Sequence, residues 1–307
     1  MKMITKKSLD FSCNSPLVVA LGCFDGVHRG HSELISKAVT IALQKGISSA
    51  VFSFTEPPKN YFSPEPTPLL TPFYEKKRLM KTLSPDLFVC IPFDKDIATL
   101  SPEDFFYEIL LKKLNAVHIV CGFDYHFGKG GKGDATLLDR LCREHGITLS
   151  VIAPVVIDGI TASSSEIRRL LGEGDVKTAS AILGRRYSIC APVVSGQHLG
   201  KTLGFPTINQ LFEKNSTPLR RGVYLTRVRI GHAAYSAITN VGVRPTVDGA
   251  TLCAETNIFD FEGDLYTKSV RVEFADFIRP EKKFNSVEEL TAQVLDDIKN
   301  AKDRIKH

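Results

Sequence analysis

The segment from Leu17 to Gly46 joins a short apolar run, a glycine-rich turn and a longer helical pattern. The run LVVAL has the length and composition of a buried parallel strand, and the turn GCFDGVHRGH follows it directly. Apolar residues then recur at helical spacing, at Leu34, Ile35, Ala38, Ile41 and Ala42. This order predicts one strand-turn-helix unit of a parallel α/β sheet.

Similar units recur along the first 185 residues. Strand-like runs occur at SSAVFSF, DLFVCIPF, AVHIVCGF and ITLSVIAPV, and helical patterns such as SPEDFFYEILLKKL and DATLLDRLCREHG separate them. In the first of these helices, Ser101 is the expected N-cap and Pro102 the first helical residue. Strands alternating with helices predict a parallel sheet covered on both faces, so we expect a Rossmann-like α/β domain over residues 1–185.

The sequence changes character near residue 186. The later segments are short, alternate β-branched and aromatic residues, and are separated by Gly and Pro, which is typical of an antiparallel barrel or sandwich. The last pattern is helical, with Ser286 and Glu289 at capping-box spacing and an apolar stripe from Val287 to Ile305. We therefore predict a mainly antiparallel β-barrel domain with a C-terminal helix over residues 186–307.

Charge and cysteine content exclude several classes of protein. The formal net charge is only +5, without the concentrated basic patch that a nucleic-acid partner requires. The seven cysteines are widely spread and contain no C-x-x-C pair, so neither a disulfide framework nor a zinc site is indicated. The apolar run near the N-terminus is about half as long as a membrane span. We expect a cytoplasmic protein with neither a membrane nor a nucleic-acid partner.

The turn after the first predicted strand has the features of a phosphate-binding site. In open α/β sheets, ligands bind beyond the carboxyl ends of the strands, where a helix N-terminus offers free N–H groups. Gly22 and Gly26 permit a tight turn, and Gly30 leaves room for a close approach. His28 and His31 lie on one face of the first helical turn and can donate hydrogen bonds to phosphate oxygens. Taken alone, the spacing fits a turn whose histidines merely cap the helix at least as well.

The same stretch resembles the G-x-F-D-x-x-H-x-G-H signature of the H-x-G-H nucleotidyltransferase superfamily. The segment SSSEIRRLL, which on its own indicates only a capped helix, is similar to the S-S/T-x-I-R element that faces the ATP phosphates in that superfamily. The resemblance implies catalytic roles for His28, His31 and Arg168. It also implies ATP contacts for Gly22, Phe24, Asp25, Gly30, Ser164 and Ser165.

A second glycine-rich stretch, CGFDYHFGKGGKGD, follows the predicted strand AVHIVCGF. Its composition alone indicates a loop. It resembles the G-x-D-F-x-F-G segment of bacterial FAD synthetases, and this resemblance implies FMN as the acceptor. Asp124 and Phe127 are then the implied FMN contacts.

A third stretch, SGQHLGKTLGFPTINQ, indicates by composition a turn followed by an edge strand. On a strand, Thr207 and Asn209 face the same side and offer oxygen ligands suited to magnesium. The stretch resembles the G-x-x-x-G-[RK]-x-L-G-F-P-T-x-N signature of riboflavin kinases, and NVGVRPT, ETNIFDFEGDLY and IRPEKKF follow in that family's order. The resemblance implies that Thr207 and Asn209 hold Mg²⁺ with ATP and that Glu255 is the general base on riboflavin. It also implies ATP or flavin contacts for Gly196, Gly200, Lys201, Gly204, Phe205, Pro206 and Arg279.

Nearly the whole chain therefore resembles the bacterial bifunctional riboflavin kinase/FMN adenylyltransferases. The resemblance implies that the barrel domain converts riboflavin and ATP to FMN, that the α/β domain converts FMN and ATP to FAD and pyrophosphate, and that Mg²⁺ serves both reactions. The chain departs from the family pattern at Pro57, Asn257 and Thr267, where that pattern has His, His and Gly. Two alternatives are a nucleotidyltransferase for another acceptor fused to a non-catalytic barrel, and a flavin-sensing protein in which one site has lost turnover.

Overall fold

The computed structural model describes residues 1–5, 10–196, 200, 203–246 and 249–306. The chain forms two compact units, Met1–Ser164 and Ser165–His307. The functional boundary predicted after residue 185 stays a prediction.

The first unit is built on a six-stranded parallel sheet. Its strands are β1 (Lys2–Ile4), β2 (Leu17–Leu21), β3 (Ser48–Phe54), β4 (Leu87–Ile91), β5 (Ala116–Gly122) and β6 (Thr148–Ile152). They lie in the order β1-β4-β3-β2-β5-β6, and every pair is parallel. The chain leaves β2 toward β3 on one side and later continues from β5 on the other side. The topological switch point therefore lies between β2 and β5, where open α/β sheets bind ligands.

Helices cover both faces of this sheet, as the sequence predicts. They are α1 (Arg29–Lys45), α2 (Pro58–Phe62), α3 (Phe73–Leu83), α4 (Lys95–Ala98), α5 (Pro102–Asp104) and α6 (Ala135–Glu144). Val18 and Ala20 of β2 belong to the core beneath α1 and α3, whereas Leu17 and Val19 belong to the opposite core. The five apolar positions predicted for α1 are its five buried residues, and Gly46 ends the helix with a left-handed backbone (φ 65°).

The helical pattern after residue 101 is only partly as predicted. Ser101 is the N-cap and accepts the Asp104 N–H at 3.0 Å, and Pro102 is the first helical residue. From Phe105 to Lys113 the chain forms a π-helix, which ends with the Leu114 N–H bonded to the Ile109 carbonyl five residues before. Apolar periodicity over so short a segment does not separate the two helix types. A small antiparallel pair, β7 (Val156–Ile157) and β8 (Ile160–Thr161), follows β6.

The remaining elements form two helices, an antiparallel barrel and a last helix. They are α7 (Ser164–Glu173), α8 (Val176–Leu183), β9 (Ser188–Pro192), β10 (Ile208–Leu211), β11 (Gly222–Ile230), β12 (Ala233–Thr246), β13 (Gly249–Ile258), β14 (Ser269–Pro280) and α9 (Val287–Lys306). The strand order is β10-β13-β12-β11-β14-β9. Just past β9, the Val194 N–H donates to the Asn209 carbonyl of β10 at 2.8 Å, so the barrel is nearly closed. This confirms the predicted β-barrel class.

The barrel interior mixes aromatic packing with a chain of hydroxyl groups. Tyr224 and Phe274 are fully buried and pack edge to face. The hydroxyls of Thr226, Thr239 and Thr256 join three neighbouring strands at 2.8 and 2.9 Å. Because all three hydroxyls are buried, these hydrogen bonds offset the desolvation that each would otherwise suffer.

The C-terminal helix α9 is covered only along its middle. Ala301 is fully buried in a cluster with residues of the barrel, whereas Val287 and Ile305, the ends of the predicted apolar stripe, are 47% and 44% exposed. The two ends of the stripe are therefore only partly covered, and next to Ile305 the Arg304 guanidinium instead donates to the Asp276 carboxylate of β14 at 2.6 Å. Asp297 is buried instead. In the part of the chain that the structure describes, no helix has the length and apolar character needed to cross a membrane.

Candidate active sites

The turn after β2 has an unusual backbone. Phe24, Gly26 and Val27 have φ values of 51°, 85° and 42°. For residues with a side chain, this left-handed region costs about 1–2 kcal/mol each. The buried Phe24 ring folds back on the turn, so that a Cβ at Gly22 would lie 3.0 Å from it. The turn therefore has a specific conformation that the rest of the unit must hold in place.

The two histidines of the turn come together, as predicted. His28 is the N-cap of α1, and its Nδ1 accepts the His31 backbone N–H at 3.4 Å. Their imidazole rings stack with centroids 3.6 Å apart and an angle of 21° between planes. A Cβ at Gly30 would lie 3.2 Å from two atoms of the His28 ring, so glycine lets this ring pack closely against the start of the helix. Both rings lie at the N-terminus of a 17-residue helix beside the switch point, where an anion is favoured.

Asp25 forms hydrogen bonds that hold the turn in place, a role that no local sequence pattern predicts. Its buried carboxylate accepts the N–H groups of Leu70 and Thr71 at 3.1 Å and the Thr71 hydroxyl at 3.2 Å. The Gly26 N–H in turn donates to the Thr71 hydroxyl at 3.0 Å. These bonds tie the turn to a segment 45 residues later. The ATP contact expected for Asp25 stays a prediction.

Sequence reasoning also missed Lys76, which is 2% exposed and lies on α3. Its ammonium donates to the carbonyl oxygens of Cys23 and Phe54, at the ends of β2 and β3. A signal was present in the sequence, since Lys76 shares helical spacing with the buried residues Leu79 and Met80. A lysine within an apolar stripe indicates a buried polar partner.

The second nucleotidyltransferase motif begins at α7. The Ser164 hydroxyl donates to the Asp25 carbonyl at 2.8 Å, which joins the two predicted ATP motifs at one point. Ser165 and Arg168 follow on α7 and fall in the second compact unit. Glu166 accepts two hydrogen bonds from Arg169 on the exposed side of this helix. The ATP contacts of Ser165 and Arg168 stay predictions.

The predicted FMN residues after β5 differ in their surroundings. Phe127 is buried and packs against Tyr125 and Phe105, with ring centroids 5.9 and 5.8 Å apart. Asp124 is exposed, and a Cβ at Gly122 would lie 2.9 Å from its carboxylate. Burial raises the pKa of the Tyr125 hydroxyl well above its usual value. The geometry thus gives Phe127 a core role, and both FMN contacts stay predictions.

A group of aromatic side chains that sequence reasoning did not find lies past the ends of β3 and β4. Phe93 packs against Phe54, Tyr61 and Phe62, with ring centroids between 5.1 and 6.0 Å apart. Tyr61 and Phe62 remain 48% and 62% exposed. This group offers flat apolar surface at the carboxyl edge of the sheet.

In the barrel, strand register brings polar residues into one row. Asn209 of β10 pairs with Glu255 of β13, which in turn pairs with Asn240 of β12. Side chains of directly paired residues share a face of the sheet. Thr207 was expected on the same strand, but β10 begins only at Ile208. The Phe205 N–H donates to the Gly200 carbonyl at 2.9 Å, and residues 203–207 lie outside the ladder.

Glycines bring the backbone close to the predicted magnesium ligands. A Cβ at Gly196 would lie 2.4 Å from the Asn209 side-chain nitrogen, and one at Gly200 would lie 3.4 Å from the Thr207 hydroxyl. Gly204 has a φ of 88° and open space around it. Phe205 is buried, whereas Pro206 is exposed. The predicted contact Lys201 lies outside the described residues.

The carboxyl group of Glu255 is less acidic than that of an ordinary glutamate. Although the Glu255 residue is exposed, partial desolvation by its neighbours raises the pKa of its carboxyl above the usual value, and the positive charge of Arg244 opposes this rise. The Arg244 guanidinium also donates to the Ser195 carbonyl at 3.1 Å, next to Gly196. A raised pKa makes the ionised carboxylate a stronger base.

Arg279, a predicted phosphate or flavin contact, is engaged within the protein. Its Nε and Nη2 donate to the buried carboxylate of Asp297, at 2.9 and 2.7 Å. Its Nη1 donates to the Pro280 carbonyl at 3.0 Å. This pair fastens α9 to β14, and the ligand contact stays a prediction.

The three departures from the family pattern have distinct surroundings. Asn257 donates from its side chain to the Pro206 carbonyl at 2.8 Å, which ties β13 to the segment before β10. Thr267 has a φ of 64°, a conformation that suits glycine better than a β-branched residue. Pro57 precedes α2 and supplies no side-chain cap.

The donors near β10 suit Mg²⁺. Within the described ranges, no group of three or more His, Cys, Asp or Glu side chains could hold a metal. Mg²⁺ bound with a nucleotide does not require one, because phosphates and water fill most of its six positions. The Thr207 hydroxyl and the Asn209 amide oxygen are ligands of the right type, and the backbone of Gly196 packs directly against the Asn209 amide.

The fold and the two candidate sites define a class of protein with two units. The first unit carries a turn typical of nucleotide-binding sites at the end of a parallel strand, and the second carries paired polar residues on a β-barrel. Residues 10–166 match the family described as FAD synthetase, and residues 183–305 match riboflavin kinase. The chain belongs to the family of bifunctional riboflavin kinase/FMN adenylyltransferases. It is 33% identical to the Pseudomonas fluorescens member, covering 93% of this chain and 92% of the relative, and 35% identical to the Bacillus subtilis (strain 168) member, covering 92% and 91%.

A solved structure agrees over the full length. The crystal structure described as a macrolide-efflux protein from Streptococcus pneumoniae superposes with a TM-score of 0.89 at 32% identity. The match covers 98% of this chain and 99% of that one. The order of an α/β unit followed by a barrel is therefore shared along the whole chain.

Proposed function

We propose that this chain makes FAD in two ATP-dependent steps. The barrel phosphorylates riboflavin to FMN, and the α/β unit transfers the adenylyl group of a second ATP to FMN. The observation that carries this proposal is the presence of both sites in one family member, with His28 and His31 stacked at the switch point and Asn209 paired with Glu255.

In the kinase step, Glu255 accepts the proton of the terminal ribityl hydroxyl of riboflavin. The hydroxyl oxygen forms a bond to the γ-phosphorus of ATP, the bond from that phosphorus to the β,γ-bridging oxygen breaks, and ADP leaves. Thr207 and Asn209 would hold Mg²⁺, which neutralises charge on the phosphate oxygens when bound. Gly196, Gly200, Gly204 and the segment Phe205–Pro206 shape the site around the nucleotide, and Lys201 adds a cation.

In the adenylyl transfer step, a phosphate oxygen of FMN forms a bond to the α-phosphorus of ATP. The bond to the α,β-bridging oxygen breaks, and pyrophosphate leaves. His28, His31 and the positive end of the α1 dipole stabilise the charge on the phosphates, and Arg168 supplies a fixed cation. The absence of a side chain at Gly30 lets the His28 ring lie against the start of α1, since a Cβ there would be 3.2 Å from it.

The flavin ring needs an apolar surface near the same edge of the sheet. Tyr61 and Phe62 are exposed there and are held by Phe93. Stacking on such rings would stabilise bound FMN beside the adenylyl transfer site. Asp124 would contact the polar part of the flavin. The cytoplasmic location expected from the sequence stays a prediction.

The product profile tests the proposal. Purified protein is given riboflavin, ATP and Mg²⁺, and flavins and nucleotides are followed by chromatography. We expect FMN and ADP first, then FAD and pyrophosphate, and neither flavin product when a chelator removes the metal. The absence of FMN would refute the kinase, and FMN without FAD would refute the transferase. Tight flavin binding without ATP consumption would instead indicate a flavin-sensing protein.

A further inference from the structure

Lys76 is a buried cation that has only neutral partners in the described structure. Its side chain is among the largest that are fully enclosed, and its Nζ donates to the carbonyl oxygens of Cys23 at 3.0 Å and Phe54 at 3.1 Å. In the described part of the chain, no carboxylate forms an ion pair with it. Burying an ammonium without an ion pair is costly, so its two hydrogen bonds to carbonyl oxygens must offset that cost.

The two carbonyls that Lys76 binds lie where the sheet opens. β2 and β3 pair as far as Leu21 and Phe52, and the Gly22 N–H still reaches the Phe52 carbonyl at 3.3 Å. Beyond this point the chain from β2 leaves the sheet as the histidine-bearing turn, so the Cys23 carbonyl has no ladder partner. Lys76 and the buried Ser53 hydroxyl, at 3.0 Å, both donate to this oxygen.

The segment just before Lys76 holds the same turn from a second point. Thr71 binds the Asp25 carboxylate through its N–H and its hydroxyl, and the hydroxyl also accepts the Gly26 N–H. Residues 70–76 therefore form hydrogen bonds with the turn at Cys23 and again at Asp25 and Gly26. The turn needs such support, because Phe24 and Val27 have left-handed backbones.

We propose that Lys76 is a positioning residue for adenylyl transfer. It acts through the Cys23 carbonyl, fixing the first bend of the turn and thereby the placement of the His28 and His31 rings. Its charge also lies beneath a turn that receives phosphates, where a fixed cation favours bound anions. The inference rests on the proposed adenylyl transfer and names a residue that acts on it without touching a substrate.

The test compares Lys76→Met with Lys81→Met, an exposed lysine on the same helix. For each variant we would measure kcat and KM for FAD formation from FMN and ATP, riboflavin phosphorylation by the same sample, and the thermal melt. We expect Lys76→Met to lower kcat for FAD formation at least tenfold, with KM for ATP within threefold and the kinase within twofold. Lys81→Met should match the parent protein, and Lys76→Arg should recover part of the lost kcat.

Three outcomes for Lys76→Met would overturn the inference. They are a kcat for FAD formation within twofold of the parent protein, a riboflavin kinase activity reduced by the same factor as FAD formation, and a change in melting temperature with no change in either activity. If Lys76→Met does not fold, Ser53→Ala removes the other donor to the Cys23 carbonyl with little change in volume. It should lower kcat about threefold with KM unchanged, and an unchanged kcat would refute the inference. A parent protein that forms no FAD at all would refute the proposed function instead, which keeps the two failures distinct.

Discussion

The two sites of this chain are fixed by different means. In the α/β unit, side chains distant in sequence hold a strained turn, as Asp25 does with Thr71 and Lys76 with Cys23. In the barrel, backbone register sets the row of Asn209 and Glu255, and Gly196 lets the backbone pack against the Asn209 amide. The first site therefore depends on a few buried side-chain hydrogen bonds. The second depends on strand pairing, which many backbone hydrogen bonds maintain together.

This difference predicts how each site fails. Loss of one buried partner leaves a polar group unsatisfied and releases the turn, so distant substitutions should affect adenylyl transfer. The barrel row should tolerate distant changes, because antiparallel register is specified along whole strands. It should respond instead to any added atom next to Asn209.

Crossed substitutions give the largest expected effects. Glu255→Gln should lower FMN formation by roughly 10²–10⁴-fold, because the amide cannot accept the hydroxyl proton. FAD formation from supplied FMN should stay within twofold. His28→Ala or His31→Ala should lower FAD formation by roughly 10²–10³-fold and spare the kinase. Initial rates of FMN and FAD formation, measured by chromatography, test these expectations. An equal loss of both activities in any of these variants would contradict the separation of the two sites.

Sequence reasoning succeeds where a signal is local and periodic. The buried face of α1 follows from the 3.6-residue repeat of its apolar positions, and Gly46 marks its end. The same holds for the alternation that predicts the barrel. The proximity of the two histidines was predictable from their spacing of three residues, although His28 lies at the N-cap with an extended backbone rather than on the helical face.

It fails where the structure depends on contacts between distant segments. No local pattern shows that Asp25 binds residues 70 and 71, or that Arg279 binds Asp297 on the last helix. The composition of FPTIN predicts a strand that includes Thr207, whereas β10 begins at Ile208. Composition measures propensity, and tertiary contacts override it.

A smaller effect is expected from a single methyl group in the barrel. In Gly196→Ala the added Cβ would lie 2.4 Å from the Asn209 side-chain nitrogen, so the amide must move. Displacing a substrate-positioning group by about 1 Å can cost up to about 10²-fold, and we expect FMN formation to fall roughly 10- to 100-fold. FAD formation from supplied FMN should not change.

Gly172→Ala is the matched control, because Gly172 lies in α7 and a Cβ there meets nothing within 4 Å. Alanine is the better helix former, so this variant should keep both activities and gain up to about 1 kcal/mol in unfolding free energy. Full kinase activity in Gly196→Ala would show that Asn209 does not position the nucleotide.

The smallest expected effect concerns the pH dependence of the kinase. The pKa of Glu255 is raised by desolvation, and Arg244 lowers it. The base must be ionised, so kinase activity should fall as pH drops through a pKa above the usual glutamate value. Replacing Arg244 with Met removes the opposing charge and raises this pKa further. The acid limb, which is the low-pH side of the pH–rate profile of the kinase, then moves to higher pH.

On the acid limb, we expect Arg244→Met to lower the rate by about two- to fivefold, the factor for a weak charge interaction. Rates measured from pH 5 to 8 at saturating ATP would follow it. Arg227→Met removes a positive charge from an exposed position on β11 and should leave the limb in place. A limb that shifts equally in both variants would reflect net charge alone. An unmoved limb in Arg244→Met would mean that Glu255 does not control this titration, and the barrel site would then need another base.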